Sequence, residues 1–115
     1  MKNIILIGMP GAGKSTVGVL LAKSMGYDFV DADLVIQKQQ GTKLQNIIDE
    51  RGLDGFKQAE EQALLSINDK KAIIATGGSA VFSAAGMAHL KENGICVYLR
   101  VDEQELIRRL TNIKT

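Results

Sequence analysis

The stretch from residue 3 to residue 26 constrains the fold most, because it joins an apolar run, a glycine-rich loop and a helical pattern. The run NIILIG at residues 3–8 is β-branched and ends in glycine, which is typical of a strand buried on both faces. Residues 14–26 place apolar side chains at helical spacing, and Gly26 is a suitable stop. This order predicts a strand whose end leads through a flexible loop into a helix.

The loop itself, GMPGAGKST at residues 8–16, matches the phosphate-binding pattern G-x-x-x-x-G-K-[ST] in the context that the pattern requires. Backbone amides in such a loop, together with a helix N-terminus, bind the phosphates of a nucleotide. Lys14 would reach the β- and γ-phosphates, Ser15 would ligate Mg²⁺, and Thr16 could contact the α-phosphate. The predicted nucleotide-binding residues are Gly8, Pro10, Gly11, Ala12, Gly13, Lys14, Ser15 and Thr16.

Further strands and helices alternate along the chain, which indicates an α/β fold with a parallel sheet covered on both faces. The predicted strands are 3–8, 27–33, 71–78 and 95–100. The predicted helices are 14–26, about 33–39, 43–51 (closed by Gly52), 55–67, 80–92 and 102–113, the last with Asp102 as N-cap. A length of 115 residues fits a single domain spanning 1–115.

Composition restricts the possible partners and compartments. The formal net charge is +1, so the total carries no electrostatic signature of nucleic-acid binding. Cys96 is the single cysteine, which excludes an internal disulfide and fits a reducing compartment. The apolar stretch Ile4–Ile7 is too short for a signal-peptide core or a membrane span. These features predict a cytoplasmic protein, expected to be a monomer, that binds neither membranes nor nucleic acid.

Two nucleotide-hydrolase classes are disfavoured. The sequence has no N-K-x-D guanine-recognition motif, and DERG at residues 49–52, which imitates a switch motif, lies in a helical segment. The third apolar strand ends in ATGG, without the acidic residue that usually closes such a strand in mechanical ATPases. Neither a GTPase switch nor a mechanical ATPase is therefore indicated by these stretches.

Acidic residues follow the second strand instead, at Asp31 and Asp33. The carboxyl ends of parallel strands form the ligand crevice, so both should face the phosphate loop. In an extended stretch their side chains would point the same way. One could then hold Mg²⁺ through water while the other accepts a proton from the attacking hydroxyl. The alternative is that Asp33 caps the following helix and Asp31 is a solvated turn residue.

Other polar positions carry two interpretations each. Lys57 precedes Glu60 and Glu61 by one helical turn, which by spacing alone favours an exposed pair of opposite charges. TGGSAV at residues 76–81 is either a second backbone cradle or a tight turn with Ser79 as N-cap. His89 is interpreted as a surface residue near a helix C-terminus and Cys96 as a small core residue. Arg108 and Arg109 are predicted on a solvated helix face, where one could border the nucleotide.

Taken together, four stretches resemble the shikimate kinase family in order and spacing: GMPGAGKSTVG, FVDADLVI, GFKQAEE and IIATGGSAV. GTKLQNIIDERG between them is similar to the family's connecting segment, so the resemblance covers essentially the whole chain. It implies a P-loop three-layer sandwich with strand order 2-3-1-4-5, and transfer of the ATP γ-phosphoryl group to a hydroxyl of shikimate. ATP and Mg²⁺ are the implied cofactors.

The resemblance also implies roles for individual residues. Asp33 would contact the acceptor hydroxyl and act as base, with Lys14 the other catalytic residue. Ser15 and Asp31 would serve the metal ion, with Thr76 assisting. The residues implied in acceptor binding are Asp33, Lys57, Gly77, Gly78 and Ser79, with Glu60 orienting Lys57.

Three departures from the family pattern bear on function. Lys57 stands where the family has an arginine that grips the substrate carboxylate, and lysine lacks the planar two-pronged match. Ser79 replaces the third glycine of the family's usual triple. The chain ends before the family's lid, fifth strand and last helix, which predicts a C-terminally incomplete domain with low turnover. Another small acceptor, such as gluconate or a nucleoside monophosphate, and a non-catalytic nucleotide-binding module remain alternatives.

Overall fold

The computed structural model describes residues 2–8 and 13–99 of the chain. Its strands are β1 Asn3–Gly8, β2 Asp28–Asp31, β3 Ala72–Ala75 and β4 Gly94–Leu99. Its helices are α1 Lys14–Met25, α2 Ala32–Gln40, α3 Leu44–Ser66 and α4 Ala84–Lys91, with a 3₁₀ turn at Ala80–Phe82. The predicted helix 102–113, with Asp102, Arg108 and Arg109, lies outside the described residues, as do Pro10, Gly11 and Ala12.

The four described strands form one parallel sheet in the order β2-β3-β1-β4. This arrangement confirms the predicted α/β class and matches the implied order as far as its fourth strand. Consecutive side chains of each central strand lie on opposite faces of the sheet. In β1, Ile5 packs with Leu64 and Met87 of α3 and α4, whereas Leu6 packs with Val17 of α1. Three layers follow from this alternation, with the sheet in the middle.

Helix α1 confirms the sequence prediction at both ends. It begins at Lys14 and ends where Gly26, at φ 69°, donates its backbone N–H to the Ala22 carbonyl. The helix approaches the sheet most closely at Gly18, where an added Cβ would collide with the ring of Phe29 in β2. This contact fixes the distance between α1 and the strand that leads to the acidic residues.

The segment between β2 and β3 folds as two helical elements, and α3 is broken in its middle. Gly52 adopts φ 73° and ψ −176°, which no residue inside a helix can have, so 44–51 and 53–66 are separate helical stretches. The predicted closure at Gly52 is therefore confirmed. Strand β2 is shorter than the predicted 27–33, because α2 already begins at Ala32.

The region after β3 also differs from the prediction. One helix was expected over 80–92, but a 3₁₀ turn comes first and α4 begins at Ala84. The Ser83 hydroxyl caps α4 by accepting from the Gly86 N–H at 3.2 Å, so the N-cap is Ser83 and not Ser79. Strand β4 is less covered than its apolar sequence indicated, since Ile95 and Tyr98 are more than half exposed.

Candidate functional site

A cavity of about 350 Å³ lies where β1, β2 and β3 end and α1 begins. The carboxyl ends of parallel strands and a helix N-terminus meet there, so free backbone N–H groups and polar side chains share one space. The cavity is lined by Gly13, Lys14, Ser15, Thr16, Asp31, Asp33, Ala75, Thr76, Gly77 and Gly78. Residues distant in sequence, from the glycine loop, the D-x-D stretch and the TGG stretch, thus form one site.

Lys14 is the first residue of α1, and its ammonium donates a hydrogen bond to the Gly8 carbonyl at 2.8 Å. Partial burial lowers the pKa of Lys14 below its ordinary value, and the nearby Asp33 carboxylate raises it in the opposite direction. The positive end of the helix dipole lies at the same place. This end of the cavity therefore favours an anion.

Asp31 is the last residue of β2 and the N-cap of α2. Its Oδ1 accepts from the backbone N–H of Asp33 at 3.0 Å and of Leu34 at 3.4 Å. The predicted geometry, in which both aspartates extend from one strand, was wrong because β2 ends before Asp33. The alternative was also wrong, since the capping carboxylate is Asp31, two residues earlier than expected.

Asp33 lies in the first turn of α2 and faces β3 across the cavity. A Cβ placed on Gly77 would lie 2.8 Å from Asp33 Oδ1, so the missing side chain at Gly77 makes room for this carboxylate. Burial raises the pKa of Asp33 above its ordinary value, the charge of Asp31 raises it further, and Lys14 lowers it. A carboxylate that is reluctant to ionise and lies in a cleft is well suited to accept a proton.

A second cavity of about 380 Å³ adjoins the first along the Gly77–Gly78–Ser79 stretch. It is lined by Lys57, Gln58, Glu60, Glu61, Ser79, Phe82, Ser83, Ala84 and Ala85. Phe82 is 78% exposed, an unusual state for a phenylalanine, and contributes an apolar wall beside the charged groups of α3. Gly77 and Gly78 line the first cavity and the adjacent Ser79 lines the second.

The deepest charged group of the second cavity is Glu60, which is only 2% exposed. The Ser79 hydroxyl lies 3.0 Å from Glu60 Oε1 and 3.1 Å from Oε2 and donates to this carboxylate. Sequence reasoning missed the contact, because Ser79 was interpreted as a helix cap or as part of a backbone cradle. A serine in a glycine-rich turn gives no signal of a partner 19 residues away.

Comparison with known proteins shows the family. A family model described as shikimate kinase matches residues 10–115. The chain belongs to the shikimate kinase family. A shikimate kinase from Thermodesulfovibrio yellowstonii is 43% identical over 111 residues, and one from Synechococcus sp. is 44% identical over 109 residues.

Solved shikimate kinases share the fold. The structure of shikimate kinase from Acinetobacter baumannii in complex with shikimate has a TM-score of 0.83 and 36% identity, covering 99% of this chain. Shikimate kinase from Bacteroides thetaiotaomicron follows with a TM-score of 0.81 and 31% identity. The resemblance found in the sequence is thereby confirmed.

The chain spans only part of the length of these shikimate kinases. The aligned segment includes 96% of this chain but only 64% of the T. yellowstonii protein. The corresponding share of the Synechococcus protein is 55%. This chain likewise covers 64% of the A. baumannii chain. The activity of the whole protein is therefore a matter for proposal.

The remaining candidate residues occupy varied positions in this shikimate kinase-like chain. Thr76 is buried, and its hydroxyl donates to the Leu6 carbonyl at 2.8 Å, which ties the end of β3 to β1. Lys57 is exposed on α3. His89 is half-buried, with its Nε2 2.9 Å from the Ile67 carbonyl oxygen. Cys96 is partly buried against the core.

Within residues 2–8 and 13–99, no helix is long and apolar enough to cross a membrane. In the same ranges no three His, Cys, Asp or Glu side chains form a cluster able to hold a metal ion.

Proposed function

We propose that the protein transfers the γ-phosphoryl group of ATP to a hydroxyl of shikimate, giving shikimate 3-phosphate for aromatic amino-acid biosynthesis. Membership of the shikimate kinase family supports this assignment. The observation that carries it is the carboxylate of Asp33, whose pKa is raised and which lines the same cavity as Lys14. A phosphate-binding lysine and a proton acceptor in one cleft are what phosphoryl transfer to a hydroxyl requires.

The phosphates of ATP would lie at the start of α1. There the backbone N–H groups of the loop 8–16 and the helix N-terminus present partial positive charge. Lys14 would exchange its bond to the Gly8 carbonyl for the β- and γ-phosphate oxygens. Gly8, Gly13 and Thr16 complete the described part of this cradle, and Pro10, Gly11 and Ala12 belong to the proposal from the sequence motif.

Mg²⁺ fits the donors at this end of the cleft. Magnesium ions bind few protein oxygens and take the rest of their ligands from phosphates and water. The Ser15 hydroxyl is exposed at the cavity, and Asp31 keeps Oδ2 available while Oδ1 caps α2. We assign Ser15 and Asp31 as the residues that would hold the ion, which neutralises phosphate charge when bound.

Asp33 would act on the acceptor side. Its Oδ1 would accept the proton of the attacking hydroxyl as the new O–P bond forms and the bond between the γ-phosphorus and the bridging oxygen breaks, with ADP as the leaving group. Burial raises the pKa of Asp33, which makes its carboxylate a stronger base toward the hydroxyl proton than an ordinary aspartate. Gly77 and Gly78 would let the acceptor approach the backbone, with Lys57 and Ser79 along its other edge.

Release of ADP from Mg²⁺·ATP tests the proposal directly. We expect release that depends on shikimate and falls at least about 100-fold in the Lys14→Ala variant, because the transferred phosphate loses its cation. Gluconate and a nucleoside monophosphate, offered separately, should not replace shikimate. Release with one of these instead would change the acceptor. Nucleotide binding without release under any condition would favour a non-catalytic binding module.

The proposal includes the cellular setting predicted from composition. A small-molecule kinase with a single, partly buried cysteine and a net charge of +1 fits a monomeric, cytoplasmic enzyme that binds no nucleic acid and no membrane. Sedimentation of the purified protein and fractionation of cells that express it test these two points.

A further inference from the structure

Glu60 is an ionisable group in a buried position, where its charged form is disfavoured. A carboxylate with 2% exposure has lost most of its hydration, and an ionised group in that state needs a partner. Burial raises the pKa of Glu60, the hydrogen bond from Ser79 lowers it, and the charge of Asp33 raises it. The charge of Glu60 therefore depends on which donor reaches it.

Ser79 is the donor that reaches it. The single hydroxyl proton is shared between the two carboxylate oxygens, at 3.0 and 3.1 Å, so Ser79 lies on the bisector of the carboxylate. A Cβ on Gly77 would lie 3.5 Å from Glu60 Oε2. The Glu60 carboxylate is thus held close to the Gly77–Ser79 stretch.

Lys57 would be the obvious competitor for that carboxylate. It precedes Glu60 by three residues on the continuous part of α3, a spacing at which opposite charges attract. Yet among residues 2–8 and 13–99 the Lys57 ammonium makes no hydrogen bond and no ion pair. Lys57 and Glu60 line the same cavity. The orienting contact from Glu60 to Lys57 that the family resemblance implied is absent among the described residues, because the Glu60 carboxylate accepts from Ser79 instead.

We propose that Ser79 is a positioning residue for the acceptor site: its hydroxyl holds the Glu60 carboxylate away from Lys57, which leaves the ammonium available to an acidic acceptor. The inference deepens the proposed function and rests on it. Without the hydroxyl, Glu60 would turn to the nearest cation on its own helix. Lys57 would then be neutralised before the acceptor arrives.

Steady-state kinetics at a pH where Glu60 is ionised test the role of Ser79. Ser79→Ala should raise the KM for shikimate about fivefold, the effect of a competing ion pair, and leave kcat nearly unchanged. Ser79→Thr, which retains the hydroxyl, should restore the KM. Ser66→Ala removes a hydroxyl at the far end of α3 and serves as the matched control, with no change in KM.

The Glu60→Gln background separates positioning from direct contact. Glutamine at position 60 cannot compete for Lys57 by charge, so Ser79→Ala should have no further effect on KM in that background. A fivefold rise that persists in Glu60→Gln would overturn the proposal and assign Ser79 a direct contact with the acceptor.

Acetylation of Lys57, followed by mass spectrometry on the protein without ligands, tests the same geometry independently of turnover. Ser79→Ala should slow acetylation about threefold, because an ion pair with Glu60 makes the amine less available to the reagent, and Glu60→Gln should abolish the effect. An unchanged rate in Ser79→Ala overturns the positioning role. If the wild-type protein shows no shikimate-dependent ADP release, the proposed function fails, and the acetylation rates alone decide the role of Ser79.

Discussion

The two ends of the sheet treat buried polar groups in opposite ways. At the amino end, the Asn3 side chain is 4% exposed and fully engaged: its Nδ2 donates to the Asp69 carbonyl at 2.7 Å, and its Oδ1 accepts from the Ala72 N–H at 2.8 Å. At the carboxyl end, Asp33 and Glu60 are carboxyl groups whose pKa values burial raises.

The difference separates a stabilising role from a functional one. The neutral amide of Asn3 cross-links β1 to the chain before β3 and leaves no polar atom unsatisfied. The carboxylates at the other end are disfavoured in their charged form, so the fold is less stable at neutral pH than it would be without them. We expect these ionisable side chains to be retained for the proposed proton transfer and anion binding, although apolar residues would make the fold more stable.

The largest expected effect comes from Asp33→Asn, which removes the proposed proton acceptor while preserving shape. Turnover of shikimate should fall by about 10²- to 10⁴-fold, because the attacking hydroxyl loses its general base. At neutral pH the variant should nevertheless have a higher free energy of unfolding than the wild type. Steady-state kinetics and urea unfolding measure the two effects on the same samples.

The pH dependence of that stability gain sharpens the comparison. A carboxyl group with a raised pKa stabilises the folded state while it is protonated, and this contribution is lost as the pH rises through the folded-state pKa. The advantage of Asp33→Asn should therefore be small near pH 4, about the ordinary aspartate pKa, and grow toward neutral pH. An advantage that is constant across this range would contradict the raised pKa of Asp33.

Asn3→Ala should produce the opposite pattern at the other end of the sheet. The buried Ala72 N–H would lose its acceptor, and we expect the free energy of unfolding to fall by about 2–3 kcal/mol. The kcat of the folded fraction should not change. Asn46→Ala is the matched control: the side-chain amide of that exposed asparagine donates to the Thr42 hydroxyl, and its loss should cost about 0.5 kcal/mol or less.

The smallest expected effect concerns Lys71, which precedes β3 with φ 57°. A non-glycine residue in this left-handed region is strained, so Lys71→Gly should exceed Lys71→Ala in stability by about 1 kcal/mol. Both variants lose the ammonium that lies 5.9 Å from the centre of the Tyr27 ring, so this contact cancels in the comparison. Equal stability of the two variants would show that the backbone at position 71 relaxes at no cost.

Much of the fold was predictable from periodicity and glycine placement. Apolar runs predicted three of the four described strands, and the alternation in YDFVDAD predicted the second. Gly26 and Gly52 marked helix ends that the structure confirms. These signals are local, because a buried strand and a left-handed helix end each demand particular residues at their own positions.

The caps could not be assigned from the sequence alone. Asp31 and Asp33 both fit an N-cap, as do Ser79 and Ser83, and the choice depends on where the preceding strand or turn stops. That point is set by pairing with a neighbouring strand: Asp31 pairs with Ala75, and β2 ends there. The error of two residues at Asp33 has this origin, whereas the error of four at Ser79 arises because a 3₁₀ turn at Ala80–Phe82 precedes α4.

The contact between Gly18 and Phe29 limits how far α1 and β2 can approach each other, and these two elements lead to the two sides of the proposed site. Helix α1 carries Lys14 and Ser15, and the strand of Phe29 leads directly to Asp31. The Phe29 ring occupies the space that a side chain on Gly18 would need. The thickness of this ring therefore contributes to the spacing between the start of α1 and the acidic residues. A single packing contact, outside the proposed site, therefore helps to position Lys14 and Ser15 relative to Asp31.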